Sequence, residues 1–380
     1  MNRKLHIIDT TLRDGEQAPG VVFGLEDKLK IATLLDQAKI PELEIGTPIM
    51  GKQEREEMRV LISHGFNFKT LAWCRATHED IDAAEETGCY GISISFPVSN
   101  IQIKAMGKNR AWVLSRLKQI LSYAQDRFSF IAVGAQDASR AELSFLFDFI
   151  EQAQVVGAQR VRIADTVGIL NPFSTTELFQ HIKKYCPDMS LCFHGHNDLG
   201  MATANTIAAF NAGADAVDVT INGLGERAGN AALEEVVMAL DLSMRIPTTI
   251  KTELLCKMSS TVEALSGRKL QESKPITGHA VLIHKSGIHT NSLINDRKSY
   301  QIIEAKKIGT KEHEFVFGKH SGKASIVNFF QKRGLKINEN QCEWILGYVK
   351  QYANIFKREI IDDELMRLYL HISKSPHDSV

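Results

Sequence analysis

Short apolar runs alternate with amphipathic stretches eight times within the first 245 residues, and this rhythm constrains the fold more than anything else in the chain. The runs fall at 5–9, 42–46, 68–73, 91–96, 128–133, 160–164, 190–194 and 216–221. Helical spacing recurs near 25–38, 53–64, 78–87, 110–125, 141–156, 174–185, 201–212 and 231–243. Parallel strands need a crossover connection, so strict strand–helix alternation predicts a parallel sheet. Eight such units predict an α/β fold of the TIM (β/α)8 barrel type. An open doubly wound sheet would want a glycine-rich turn after its first strand. Here the chain reads Thr10-Thr11-Leu12-Arg13-Asp14-Gly15-Glu16-Gln17, which is too charged to cradle a pyrophosphate.

After Ile246 the alternation stops. Residues 251–265 have helical spacing, and 274–319 are rich in His, Gly, Ser and Lys with little period. Helices are predicted over 321–332, 339–356 and 362–371, followed by a frayed tail at 373–380. The expected organisation is a catalytic barrel over 1–245 and mostly helical C-terminal subdomains over 246–380. Within the latter, 274–319 forms a linker or lid and 321–371 the helices.

Lys+Arg and Asp+Glu both number 45, a balance that argues against nucleic acid and anionic membranes as partners. The six cysteines contain no C-x-x-C pair, which fits reduced thiols. No apolar run approaches a membrane span and no secretory leader opens the chain, so a cytoplasmic enzyme is expected.

In such a barrel, chemistry sits at the C-terminal ends of the strands. Strand by strand, that rim receives Arg13 and Asp14, then Glu44, then Arg75, then Ser95 with the loop carrying Ser99 and Gln102. Next come Gln136 and Asp137, Asp165 and Thr166, His194 and His196, and finally Asn222 with 223–230. His194 and His196 stand two residues apart on a strand end and share a face. With Asp14 they would make a three-ligand divalent site with open positions. Mixed oxygen and nitrogen ligation suits Mg, Mn, Zn or Co.

Three motifs carry a resemblance. Asp9-Thr10-Thr11-Leu12-Arg13-Asp14-Gly15-Glu16-Gln17 and His194-Gly195-His196-Asn197-Asp198-Leu199-Gly200 resemble the two signatures of the isopropylmalate and homocitrate synthase family. Gly223-Leu224-Gly225-Glu226-Arg227-Ala228-Gly229-Asn230 resembles a third, and Asp165-Thr166-Val167-Gly168 fits as well. The resemblance implies condensation of acetyl-CoA with a 2-oxo acid. It implies a metal on Asp14, His194 and His196 with Asn230 beside it, and Arg13 stabilising charge on the ketone oxygen. His289 matches the family's catalytic histidine and Tyr300 a tyrosine that helps it; in a homodimer His289 would serve the partner's barrel. Gly223, Gly225 and Glu226 would receive acetyl-CoA. The family commonly carries Glu-Asp after strand 5, where this chain has Gln136-Asp137. An amide can hydrogen-bond but cannot act as a base, so Gln136 is expected to orient water or His289, or Asp137 to substitute in part.

The absence of room for a leucine-sensing domain favours the branch that makes homocitrate from 2-oxoglutarate for nitrogenase iron–molybdenum cofactor assembly. Residues 44–51 and 72–76 resemble the same branch. The second carboxylate of 2-oxoglutarate needs a cation, for which Arg75 is the first choice and Lys104 the second. Gln17, Glu44, Ser99, Gln102 and Thr166 would line the pocket. The alternatives are an isopropylmalate or citramalate synthase, taking 2-oxoisovalerate or pyruvate, and a carbon–carbon lyase of the hydroxymethylglutaryl-CoA type.

Overall fold

A computed structural model describes residues 4–312 and 315–374. Eight strands close into a parallel barrel in sequence order: β1 (His6–Asp9), β2 (Glu42–Gly46), β3 (Lys69–Arg75), β4 (Gly91–Pro97), β5 (Phe130–Gln136), β6 (Arg160–Asp165), β7 (Leu191–Gly195) and β8 (Ala216–Val219). Closure is made by β1 on β8, in register from His6↔Ala216 to Asp9↔Val219. The helices of this unit are α1 (Leu25–Gln37), α2 (Lys52–Ser63), α3 (His78–Glu85), α4 (Asn100–Ala105), α5 (Arg110–Ala124), α6 (Leu143–Val155), α7 (Pro172–Tyr185), α8 (Ala202–Ala212), α9 (Leu233–Met238) and α10 (Leu255–Ser266). The barrel predicted from the alternation is the fold observed. Helix α4 is an extra turn in the loop where Ser99 and Gln102 were expected. It is short, and Ser99 caps it by accepting from the Gln102 amide.

Strand residues alternate between two environments. On β4, Ile92, Ile94 and Phe96 are fully buried, and Phe96 packs on Phe149 of α6 at 5.8 Å between ring centroids. The intervening Ser93 and Ser95 face the barrel axis. There the usual layers of branched apolar side chains give way to charge. Glu42 on β2 takes both arms of Arg160 on β6, at 2.7 and 3.0 Å, and His6 at 2.7 Å. One layer higher, Arg162 lies 3.0 Å from Glu44 and 2.7 Å from Asp218 on β8. Burying ions costs several kcal/mol each, roughly, and only close, multiply bonded geometry offsets it.

Contacts divide the chain into Met1–Leu270 and Gln271–Val380. Residues 246–270, expected with the C-terminal subdomains, therefore group with the barrel. The Lys251 amide donates to Ala38 O at the end of α1, and Ser259 on α10 exchanges two hydrogen bonds with Asn222. The second unit contains α11 (Gly287–Asn295), α12 (Ala305–Ile308), α13 (Lys323–Lys332), α14 (Glu339–Phe356) and α15 (Asp362–Lys374). The last three follow the sequence expectation closely. Phe317, Phe330, Ile345, Val349 and Leu365 are at the centre of their common core. Helices α11 and α12 lie in the stretch read as periodless.

Candidate active site

The turn after β1 is built by its own polar groups. Asp9 Oδ1 accepts from the Thr11 amide, and Thr10 O accepts from the amides of Arg13, Asp14 and Gly15. That tight turn lays the Arg13 and Asp14 side chains over the barrel mouth. On the far side of the closure, β7 carries His194 as its second-last residue, ends at Gly195 and passes into His196.

Asp14 Oδ2 lies 3.1 Å from His194 Nε2, and the two histidine Nε2 atoms are 3.3 Å apart. One ligand atom from each of Asp14, His194 and His196 falls within 4.8 Å of the others, and all three residues are buried. The other nitrogen of His194, Nδ1, lies 3.0 Å from Asp218 Oδ2, which fixes the tautomer and leaves Nε2 free to coordinate. Asn230 is paired with His196 by an isolated antiparallel bridge. Its Nδ2 donates to Leu224 O, while its buried Oδ1 has no hydrogen-bond donor. Asn230 is not a helix cap, since α9 starts at Leu233 with Ala232 as its N-cap. Buried acceptors without donors are uncommon, and Asn230 Oδ1 is one, lying at the same cluster. The donor set fits a divalent ion.

The charges are consistent with this. Burial works to raise the Asp14 carboxyl, but Arg13 and His194 outweigh it and hold it far below its usual range. Burial disfavours protonated His194, yet its bonds to Asp14 and Asp218 lift it to about 9. Burial and the neighbouring His194 push His196 down to about 4. The two shifts diverge because both carboxylates bond to only one of the two rings.

Beside this cluster a pocket opens, lined by Arg13, Gln17, Trp73, Ser95, Gln136, Arg162, Thr166, Glu226 and Arg227, among others. Of the substrate-binding residues read from the sequence, Gln17 and Thr166 line it and four others do not. Glu44 is buried beneath, bonded to Arg13 Nε at 2.5 Å and facing Arg162 at 3.0 Å. Ser99 donates to Asp137, and Gln102 lies on α4 away from the pocket. Arg75 points its guanidinium at Asp80, five residues on, with Nε at 3.1 Å and Nη2 at 2.8 Å from Oδ1. It is thus not the cation of the pocket; Lys104 is exposed on α4. Accordingly, Arg75→Ala should leave the acceptor KM within about twofold, because the guanidinium is committed to the buried Asp80 and does not line the pocket. A tenfold rise in steady-state KM would restore Arg75 to the site.

Gln136 does line the pocket, whereas Asp137 cannot replace a missing glutamate there. Its carboxylate is closed off by Arg140 at 2.8 Å on each oxygen and by Ser99. The glycines of 223–229 have an internal reason. A Cβ on Gly225 would sit 2.3 Å from Asn230 Nδ2, and one on Gly229 would meet Gly223 O at 2.0 Å. The loop is folded tightly around Asn230, with Glu226 left at the pocket edge. In the second unit, His289 on α11 stacks on Tyr300 with centroids 4.1 Å apart, so the two residues expected to work together do meet.

Sequence reasoning did not single out Arg162, Trp73 or Asp218. Arg162 and Asp218 read as interior strand residues, and only the closed barrel turns them toward Glu44 and His194.

Comparison with known proteins agrees with this architecture. A family model described as HMGL-like matches residues 4–262, and one described as homocitrate synthase post-HMGL domain-like matches 276–357. The chain is 41% identical to 2-isopropylmalate synthase 2 of Caldanaerobacter subterraneus, over 97% of this chain and 96% of that one. It is 42% identical to homocitrate synthase 1 of a Nostoc species, over 97% of each. Against a putative (R)-citramalate synthase of Archaeoglobus fulgidus it is 41% identical, over 93% of this chain and 73% of the relative. Since a relative named as an isopropylmalate synthase matches nearly end to end, chain length does not separate that branch from the homocitrate branch. The crystal structure of hydroxymethylglutaryl-CoA lyase from Pseudomonas aeruginosa superposes with a TM-score of 0.63 at 20% identity, over 71% of this chain and 96% of that one, a likeness of fold alone. With this barrel, this Asp–His–His cluster and these relatives, the chain belongs to the HMGL-like family, among its acetyl-CoA-dependent 2-oxo acid synthases.

Proposed function

We propose that this chain condenses acetyl-CoA with 2-oxoglutarate, giving homocitrate and free CoA. The observation that carries the choice of acceptor is the polarity of the pocket wall. Ser95, Gln136, Arg162 and Thr166 line it, with Trp73 and Ala164 as apolar company. An isopropyl group placed there would desolvate those polar groups without pairing them, at about 1–3 kcal/mol for each group left unsatisfied.

Asp14, His194 and His196, with Asn230 Oδ1 alongside, would hold the divalent ion, which supplies Lewis-acid activation of the ketone and fixes the acceptor's orientation. Arg13, anchored by Glu44, aims its remaining N–H groups at the pocket, where negative charge develops on the ketone oxygen. His289, stacked on Tyr300, takes a proton from the acetyl methyl group. The methyl carbon then bonds to the ketone carbon, and the former ketone oxygen is protonated. Water cleaves the thioester and CoA leaves. Gln136 contributes hydrogen bonds only.

The test is thiol release from acetyl-CoA, with metal supplied, across 2-oxoglutarate, 2-oxoisovalerate and pyruvate. The expected result is the highest kcat/KM with 2-oxoglutarate. Higher values with 2-oxoisovalerate or pyruvate would overturn the choice of acceptor, and no release with any acceptor would overturn the condensation.

A further inference from the structure

Strands β4, β5 and β6 run in register so that Ser95, Gly134 and Arg162 stand side by side, Ser95 opposite Gly134 and Gly134 opposite Arg162. All three line the pocket. The middle residue has no side chain. A Cβ built on Gly134 would meet Ser95 at 3.7 Å or more and the Ile94 carbonyl oxygen at 3.9 Å, ordinary contact distances, so neighbouring side chains do not fill the space. The result is a notch one side chain wide, with a hydroxyl on one wall and a guanidinium on the other.

Arg162 is 6% exposed, and two of its three guanidinium nitrogens face carboxylates. Nε lies 2.7 Å from Asp218 and Nη2 lies 3.0 Å from Glu44, while its one aligned hydrogen bond runs from Nη2 to Asp218 Oδ1 at 3.3 Å. Nη1 makes no hydrogen bond among the described residues, and neither does Ser95 Oγ. Two carboxylates thus fix the plane of the guanidinium, and one of its edges is left toward the notch. A planar fork with N–H groups to spare matches a carboxylate better than any neutral group. Asp218 bonds at the same time to His194, and Glu44 to Arg13. The notch is therefore tied rigidly to both the metal ligands and the oxyanion arginine.

We infer that this notch receives the distal carboxylate of a 2-oxo dicarboxylic acid, with Arg162 and Ser95 determining acceptor specificity. The inference rests on the acceptor reading above and replaces Arg75 as its cation. Its ligand class is wider than 2-oxoglutarate, since a neighbouring chain length would present the same group.

The experiment compares kcat/KM for 2-oxoglutarate with that for its 5-amide, in the wild type and in two variants, Gly134→Val and Arg162→Lys. Gly134→Val fills the notch and leaves every charge in place. Arg162→Lys keeps the charge and loses the fork. Calorimetric binding of 2-oxoglutarate, metal content and melting temperature are measured alongside. The wild type should prefer the acid over the amide by at least about tenfold, the worth of one charge-assisted hydrogen bond. In both variants that ratio should fall toward one and calorimetric affinity should weaken, with metal content retained. If Gly134→Val, folded and metal-loaded, keeps the wild-type ratio, the notch is not the carboxylate site, whatever Arg162→Lys does. If the wild type rejects 2-oxoglutarate but takes oxaloacetate or 2-oxoadipate, and both variants lose that activity, the notch stands and only the acceptor reading falls. A wild type that turns over monocarboxylic acceptors alone overturns both.

Discussion

Asp14→Ala should leave a folded chain that no longer retains a divalent ion through dialysis and whose CoA release falls by about three orders of magnitude. Asp14 is the one anionic member of the cluster, so its removal leaves two imidazoles and an amide oxygen. Lewis-acid activation of the ketone supplies several kcal/mol, and each ~1.4 kcal/mol is tenfold in rate. The loss should appear in kcat and in metal stoichiometry together. Asp14→Asn separates charge from shape: it keeps the volume and should lose nearly as much. Full metal occupancy at near wild-type turnover in either variant would show that the ion, if used, is held elsewhere. The melting temperature serves as control, because Asp14 also pairs with His194 and truncation leaves that ring without one of its two carboxylates.

His289→Ala should reduce kcat by about 10²–10⁴ while leaving metal content and acceptor binding unchanged, the pattern for loss of a general base. Tyr300→Phe keeps the ring stack and should cost less. If the histidine serves the barrel of a second subunit, as the family resemblance implies, mixing Asp14→Ala chains with His289→Ala chains should restore activity. Random exchange makes half the dimers mixed, and one of the two sites in each is then intact, so about a quarter of wild-type activity should return. Rescue needs subunit exchange, which a tagged chain can confirm by co-purification. Exchange without rescue would place His289 on its own barrel or outside the chemistry.

The fold was legible because its signal is local. Eight apolar runs at crossover spacing require neither partners nor closure to be recognised, and β2 and α14 match their predicted bounds residue for residue. The metal cluster was legible for a different reason: its members sit in short motifs with unusual local chemistry, Arg13-Asp14 after β1 and His194-Gly195-His196 at the end of β7. Arg75 misled because being near a strand end says nothing about where a long side chain turns. Asp80, five residues on in the first turn of α3, captures it. Arg162 was illegible for the converse reason. Its partners lie 118 residues upstream and 56 downstream, so its role exists only once β2, β6 and β8 share an axis. Helix α11 was missed because helical periodicity fades in nine residues of mixed Gly, His, Thr, Asn and Ser.

The ions along the barrel axis give the two halves of the barrel unlike characters. The stretch from β1 to β4 brings Asp14, Glu42 and Glu44 with the single cation Arg13, and the stretch from β5 to β8 brings Arg160 and Arg162 with Asp218. Each half alone carries charge that its own strands cannot neutralise, and the bidentate Arg160–Glu42 bond spans the seam. A half-barrel is therefore a poor folding unit, although opposite fields would draw the two together. Gene duplication is a common way to imagine such a barrel growing. In this chain a descendant of that kind could no longer be reassembled from two copies of either half, because like would meet like at the centre.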